Sequence, residues 1–441
     1  MKIGLVSLGC SKNLIDSEMI LGMLEQGGAE IVPNPEEADL IIINTCGFIE
    51  EAKKETIATI KEMAGYHKKL IVTGCYAQRY QKKLEQEMPF VDKVVTLKDY
   101  PLFGNIVQSV MNDDSLTFGP INYHHRLLAT SNRTPYLKLS DGCDNRCTYC
   151  AIPLIRGRFH SRDYQEVLDE ALLLVQNGAK EINLISQDTT RFGYDVTVNH
   201  ESLLPQLLRD ISKLDGLEMV RILYLYPDEI TDDLIFEMKR NPKICPYFDI
   251  PLQHVCNAVL KRMNRRGSKQ DYRSLLMKIK EHIPQAILRT TMIVGFPGET
   301  EEDFQELIEF VKEMEFDRLG AFAYSKEEDT PAFDMPDQIE ESIKLERLDQ
   351  LMNLQQKIAY RKNKKQIHTR HRTIIEDYDP QSSFYYGRSY SFAPDDIDGY
   401  IVFQSTKALT VGDIVTVEIK AAHGLDLIGD AVEESGDERC F

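Results

Sequence analysis

The stretch Gly142-Cys143-Asp144-Asn145-Arg146-Cys147-Thr148-Tyr149-Cys150 decides the reading of this chain. It places three cysteines within eight residues, spaced Cys-x3-Cys-x2-Cys. Three thiolates on one short loop can take three corners of a cubane iron–sulfur cluster, whereas most ferredoxin-type clusters use four cysteines. The fourth iron is then open to a small chelating molecule, much as a catalytic zinc keeps one position free. Zinc is the alternative metal, since soft thiolates suit both. Closed zinc sites usually pair two Cys-x2-Cys units, and no second unit occurs here. A disulfide framework is not expected of a chain of 441 residues with nine cysteines and no export signal.

Outward from this loop, the chain reads as α/β. Strand-like runs at Ile3–Leu8, Leu40–Asn44 and Leu70–Thr73 alternate with helical patterns at 13–26, 50–63 and 78–88. This predicts an open parallel sheet with helices on its faces over residues 1–115. A connector spans 112–133, and its His124-His125 pair reads as surface histidines, not ligands. From 134 to 365 six strand candidates recur: 136–139, 181–185, 220–224, 247–250, 286–294 and 318–323. Helices are expected between them, for example 164–177 and 301–314. Six strand–helix units predict a full or partial (β/α) barrel, with its chemistry at the carboxyl ends of the strands. The cysteine loop directly follows the first of these strands. A long polar helix over 340–365 leads into residues 366–441, whose short alternating runs predict a small antiparallel β module.

A second cysteine set emerges once the strands are placed. Cys10, Cys46 and Cys75 each follow an N-terminal strand, and each stands beside a glycine: Gly9, Gly47 and Gly74. Loops at one edge of an open parallel sheet form its ligand crevice, and glycine admits a bulky cofactor. A second cluster with three protein ligands is expected there. Cys245, Cys256 and Cys440 fit neither set and read as structural or incidental.

Bulk properties narrow the partners. The formal net charge of −18 does not favour nucleic acid. No run of 18 or more apolar residues crosses a membrane. The opening Met1–Cys10 reads as a strand and not as a signal peptide, so a cytoplasmic location is expected. From His371 to Phe441 there are five Lys or Arg against fourteen Asp or Glu. Such a module should repel RNA and attract a basic protein.

The loop with Tyr149 before its last cysteine resembles the signature of radical S-adenosylmethionine (SAM) enzymes. The chain as a whole resembles the methylthiotransferases of that superfamily, with their N-terminal cysteine trio, radical SAM barrel and TRAM-like module. Ser7-Leu8-Gly9-Cys10-Ser11-Lys12-Asn13-Leu14-Ile15-Asp16-Ser17-Glu18 is similar to the branch that modifies a ribosomal protein; the tRNA-modifying branch usually has Gln-Met-Asn after this cysteine. Leu184–Thr190, Pro251-Leu252-Gln253-His254 and Ile293–Thr300 also look like the ribosomal-protein branch. Asp144, Asp163 and Leu425-Asp426-Leu427 depart from the usual pattern without touching a cysteine.

The resemblance implies two 4Fe-4S clusters and SAM as cofactors. Cys143, Cys147 and Cys150 would carry the catalytic cluster, and Cys10, Cys46 and Cys75 the auxiliary metal site. Tyr149 would lie near the SAM adenine. By their own positions at strand ends, Gly295 and Gly298 read both as a tight turn and as a close backbone approach to SAM, and Gln187 reads as a contact to SAM or substrate or as a barrel-rim polar residue. Gln253-His254 reads as a similar rim position. Arg156, Arg158 and Arg162 read as surface ion pairs that could also reach the SAM carboxylate. The implied reaction adds a methylthio group to the β-carbon of an aspartate in a small-subunit ribosomal protein. The implied electron donor is of flavodoxin or ferredoxin type, with no membrane and no tRNA partner.

Overall fold

Continuous apolar runs become strands covered on both faces. The computed structural model describes residues 1–433. At its N-terminus β1 (Lys2–Ser7), β2 (Glu30–Ile31), β3 (Leu40–Thr45), β4 (Lys69–Gly74) and β5 (Lys93–Val94) form one sheet in the order β2-β1-β3-β4-β5. Every ladder in it is parallel. Side chains alternate across a strand, so Leu40-Ile41-Ile42-Ile43 feeds two layers. Ile41, Ile43 and Val72 pack with Ile60, Met63 and Leu84 from α2 (Glu50–Ala64) and α3 (Cys75–Glu87). Leu40, Ile42 and Ile71 pack with Ile20, Leu24, Phe103 and Val107 from α1 (Ser11–Gln26) and α4 (Phe103–Met111). Such burial is worth about 25 cal/mol per Å2 of apolar surface, which fixes the strand register. The sheet order reverses between β1 and β3, where open α/β sheets form their ligand crevice beyond the strands' carboxyl ends.

Two compact units organise the described chain. The first comprises Met1–Leu174, Ile185–Gln187 and Ser325–Asp334. It therefore holds the N-terminal sheet and the 143–150 loop together. The connector is not a loose strap. Arg126 pairs with Glu18 at 3.2 Å and with Glu170 at 3.0 Å. The backbone of His125 crosses α1 so closely at Gly22 that a Cβ there would lie 1.5 Å from its carbonyl oxygen. His124 and His125 are exposed, as expected, with both backbone N–H groups donating to Asn122 Oδ1.

The second unit comprises Val175–Leu184, Asp188–Tyr324 and Met335 onward. Within it the residues from Glu181 to Leu184 run parallel to Met219–Ile222. Tyr247–Asp249, Ile287–Val294 and Arg318–Ala323 form a second parallel set, and a bridge between Val220 and Ile244 connects the two. Consecutive strands lie side by side with helices between them, as the expected partial barrel requires. The helix Glu341–Lys364 leads into a closed five-stranded barrel made of Arg370–Asp379, Phe384–Arg388, Ile401–Gln404, Ile414–His423 and Asp426–Val432. Its ladders are antiparallel except Ile401–Gln404 with Asp426–Val432. An odd number of strands cannot close with alternating direction throughout, so one parallel ladder is obligatory. Cys440 lies outside the described residues. Among the described residues no helix is long and apolar enough to cross a membrane.

Candidate paired iron–sulfur site

Each cysteine of the N-terminal set is placed by the turn that ends a strand. Cys10 is the N-cap residue of α1, directly after β1, and Cys46 follows β3. Cys75 does not sit in a loop: α3 begins at Cys75 and not at Gln78, with a kink at Tyr80. Gly74, at φ 93°, makes the sharp strand-to-helix turn, and a Cβ there would lie 2.2 Å from Asn44 Oδ1. Gly9, at φ 91°, lets the Cys46 side chain stand against the turn after β1, since a Cβ would come 2.9 Å from the Cys46 sulfur. Only glycine tolerates both constraints. Cys10 and Cys75 thus stand at helix N-termini, and at Cys75 the backbone dipole favours a thiolate.

Burial opposes that charge. It pushes the Cys75 thiol up to about 12, against the pull of Arg156, with Cys10 and Cys46 adding repulsion. Burial also raises the Cys46 thiol, and Cys10 again adds to the rise. Ala151, Ile155 and Leu97 form the apolar wall around Cys75.

The 143–150 loop is clamped at its base. Cys143 N–H donates to Gly157 O at 3.2 Å, and Cys150 N–H donates to Cys147 O at 3.1 Å. Arg146 takes φ 52° and Gly142 takes φ 74°. A Cβ on Gly142 would lie 2.1 Å from Arg158 O, so glycine closes the loop. All three cysteines, and Tyr149 between them, remain partly exposed, as does Gln187. Gln187 Nε2 donates to Asp141 Oδ1 at 3.2 Å, just before the loop.

A buried charge cluster, missed by the sequence reading, joins the two cysteine sets. Lys138 Nζ lies 2.8 Å from Asp16 and 3.2 Å from Asp141. Arg156, the last residue of the short helix Ile152–Arg156, pairs with Asp16 at 2.6 Å and Asp141 at 3.2 Å. Its Nη2 donates to Asn13 Oδ1 at 3.0 Å and to Cys75 Sγ at 3.5 Å. Burial works against the Asp141 charge, yet Lys138 and Arg156 hold its carboxyl well below the usual range. The Lys138 ammonium is likewise kept charged against burial by Asp141 and Asp16. The expectation of surface pairs fails for Arg156 and for Arg162, which is buried against Glu170 at 2.5 Å. It holds for Arg158, which pairs with Asp144 at the surface. The missed signal was charge inside apolar runs: Asp16 follows Leu14-Ile15, and Lys138 interrupts Tyr136-Leu137-Leu139.

Gly295 and Gly298 belong to the second unit and form one turn after Ile287–Val294, with φ of 72° and 74°. Glu299 Oε2 accepts from the N–H of Gly295 at 2.9 Å and of Phe296 at 3.3 Å. A Cβ on Gly295 would strike the Lys344 side chain at 2.3 Å. The turn therefore requires this glycine even before any ligand is considered. His254 is fully buried, its Nδ1 accepting from Cys256 N–H at 3.0 Å. Burial drops its pKa to about 3, so it is neutral.

The donor sets fit iron–sulfur clusters. Each is three soft thiols without a fourth cysteine beside them. Soft thiolates are the ligands iron–sulfur clusters use, one cysteine to each iron.

Comparison with known proteins agrees with this chemistry. The radical SAM superfamily model matches residues 137–311, a TRAM domain model matches 369–432, and the uncharacterized family UPF0004 matches 2–96. A radical SAM methyltransferase, TsrM from Kitasatospora setae, shares the fold with a TM-score of 0.51 at 13% identity, over 73% of this chain and 72% of that one. Fold and domains together define a radical SAM protein, a class that uses SAM and a 4Fe-4S cluster. Three relatives are named ribosomal protein uS12 methylthiotransferase RimO. That of Acetivibrio thermocellus is 44% identical over 98% of this chain and 99% of its own length. That of Clostridium novyi is 45% identical over 99% of both chains. That of Geobacter sulfurreducens is 45% identical over 98% of both. The chain belongs to the RimO family of radical SAM methylthiotransferases.

Proposed function

We propose that this chain adds a methylthio group to the β-carbon of one aspartate in ribosomal protein uS12, the small-subunit substrate named for its relatives. Cys143, Cys147 and Cys150 would ligate the SAM-binding cluster, and Cys10, Cys46 and Cys75 the auxiliary cluster. The observation that carries this reading is the placement of both cysteine sets in one compact unit, with Arg156, six residues beyond Cys150, reaching Cys75. When bound, the clusters and SAM supply one-electron reduction, a hydrogen-abstracting radical, sulfur and a methyl group. The protein's own residues bind and orient. Tyr149 would face the SAM adenine, and Gln187 would contact SAM or substrate; within the second unit the turn of Gly295 and Gly298 would let the backbone approach a ligand. Neutral His254 would accept the Cys256 N–H at Nδ1, 3.0 Å away, and so hold the segment that follows it.

The functional domains are 1–115, 134–365 and 366–441, and the three family matches fall inside them. A basic ribosomal protein suits the acidic C-terminal module better than tRNA does. Among its described residues Arg372, Arg388, Lys407 and Lys420 stand in ion pairs with carboxylates, which leaves these four less to offer phosphate. A flavodoxin- or ferredoxin-type protein would donate electrons, and the setting would be the cytoplasm. Mass spectrometry of uS12 and of tRNA from cells lacking the chain tests the reading. The methylthio increment should vanish from a uS12 aspartate; a change confined to tRNA overturns the proposal.

A further inference from the structure

We infer that Arg156 is a redox-positioning residue, whose guanidinium donates to the Cys75 sulfur and thereby sets the reduction potential of the cluster held by Cys10, Cys46 and Cys75. The inference rests on the cluster assignment proposed above. Arg156 lies six residues beyond Cys150 in sequence, yet its partners Asn13, Asp16 and Cys75 come from the N-terminal sheet domain.

The geometry over-determines the guanidinium. Nη1 lies 2.6 Å from Asp16 and 3.2 Å from Asp141, while Nη2 reaches Asn13 Oδ1 at 3.0 Å and Cys75 Sγ at 3.5 Å. A planar fork held at one end by carboxylates has its other N–H groups aimed without rotational freedom. The Arg156 side chain is 4% exposed, so water screens the contact little. Lys138 and Arg156 together balance Asp16 and Asp141. What reaches the sulfur is then the directed N–H and not a loose excess of charge.

Hydrogen bonds to cluster sulfurs are a principal lever on cluster potential. An N–H donated to a thiolate ligand withdraws electron density and favours the reduced cluster. Arg156 therefore raises the potential of the auxiliary cluster above what its three cysteines alone would give. A purely structural Arg156 would hold the segments together and leave the potential alone.

The test is an EPR-monitored redox titration of the reconstituted full-length chain as wild type, Arg156→Gln and Arg156→Lys. Iron is counted first, and Cys147→Ala assigns the signals of the two clusters. Arg156→Gln should shift the auxiliary midpoint to more negative values and leave the loop cluster's midpoint in place. Arg156→Lys keeps the charge but cannot reach all four partners, and should fall between. If Arg156→Gln loses the auxiliary iron, the Arg156→Lys midpoint decides. Resonance Raman of the wild type adds a readout free of substitution: iron–cysteine stretching bands of the auxiliary cluster should shift in D2O, and the shift should be lost in Arg156→Lys or Arg156→Gln. Iron retained with an unchanged midpoint and no deuterium-sensitive band difference overturns the role of Arg156 alone. Wild-type protein without iron at Cys10, Cys46 and Cys75 overturns the cluster assignment itself.

Discussion

Two buried charge clusters, one in each compact unit, are built alike and end differently. In the second unit Glu181 pairs with Arg221 and Arg388 at 2.8 Å each, and Arg388 pairs with Glu376 at 2.6 Å. The remaining guanidinium N–H groups of Arg221 reach the carbonyls of Ser389 and Tyr390. That cluster ties the C-terminal barrel to the strands Glu181–Ile185 and Met219–Ile222; the buried Cys245 thiol beside it feels the Arg221 charge, but the Arg221 hydrogen bonds end on oxygens. In the first unit Asp16, Lys138, Asp141 and Arg156 also balance, but Arg156 has an N–H directed at a thiol. The difference teaches what to ask of a buried ion network. One whose donors end on backbone carbonyls fixes structure. One whose donor ends on a candidate ligand sulfur is positioned for function.

The largest effect that would break this comparison lies in the first unit. Cys75→Ser should abolish methylthio transfer, read by mass spectrometry of the ribosomal protein, while the native far-UV circular dichroism persists. Next is Glu181→Ala, which strands two buried arginines. It should cost about 3–5 kcal/mol in chemical denaturation yet leave the iron content of the folded fraction intact. Loss of iron instead would erase the distinction between the two clusters.

A smaller effect is pH-dependent. The folded-state pKa of His254, about 3, lies below its ordinary 6.5. The unfolded chain therefore binds its proton first as pH falls. Stability is full above 6.5 and declines toward 3, by an amount on the order of a few kcal/mol. His254→Asn, which keeps an acceptor for Cys256 N–H, should flatten that acid limb in a series of melts; an unchanged limb refutes the assignment. Smallest of all is Lys407→Ala, at an exposed pair with Glu433. Exposed pairs contribute little, so the melting temperature should not move.

Much of this was legible in sequence because periodicity and turn chemistry are local. The strands Glu181–Ile185 and Arg318–Ala323 and the helix Glu301–Met314 lie where their patterns place them. The glycines beside Cys10, Cys46 and Cys75 marked strand ends that the sheet then brings together. The two-residue strands Glu30–Ile31 and Lys93–Val94 carry too little pattern to be seen. Long-range pairing was equally invisible. Glu327 is buried against Arg79 at 2.8 Å and Lys53 at 3.1 Å, which carries Ser325–Asp334 into the first unit across some 250 residues. Arg156 escaped for the same reason, since nothing near it in sequence names Asn13, Asp16 or Cys75 as its partners.

The central claim is that the two cysteine trios are two separate cluster sites within one unit. Iron and sulfide analysis with EPR on the wild type, Cys147→Ala and Cys75→Ala tests it most directly. The account predicts about eight irons per wild-type chain, from two four-iron clusters, and about four in each variant. The spectrum lost in one variant should be the spectrum kept in the other. A single substitution that empties both sites, or a wild type that binds zinc in place of iron, would contradict it.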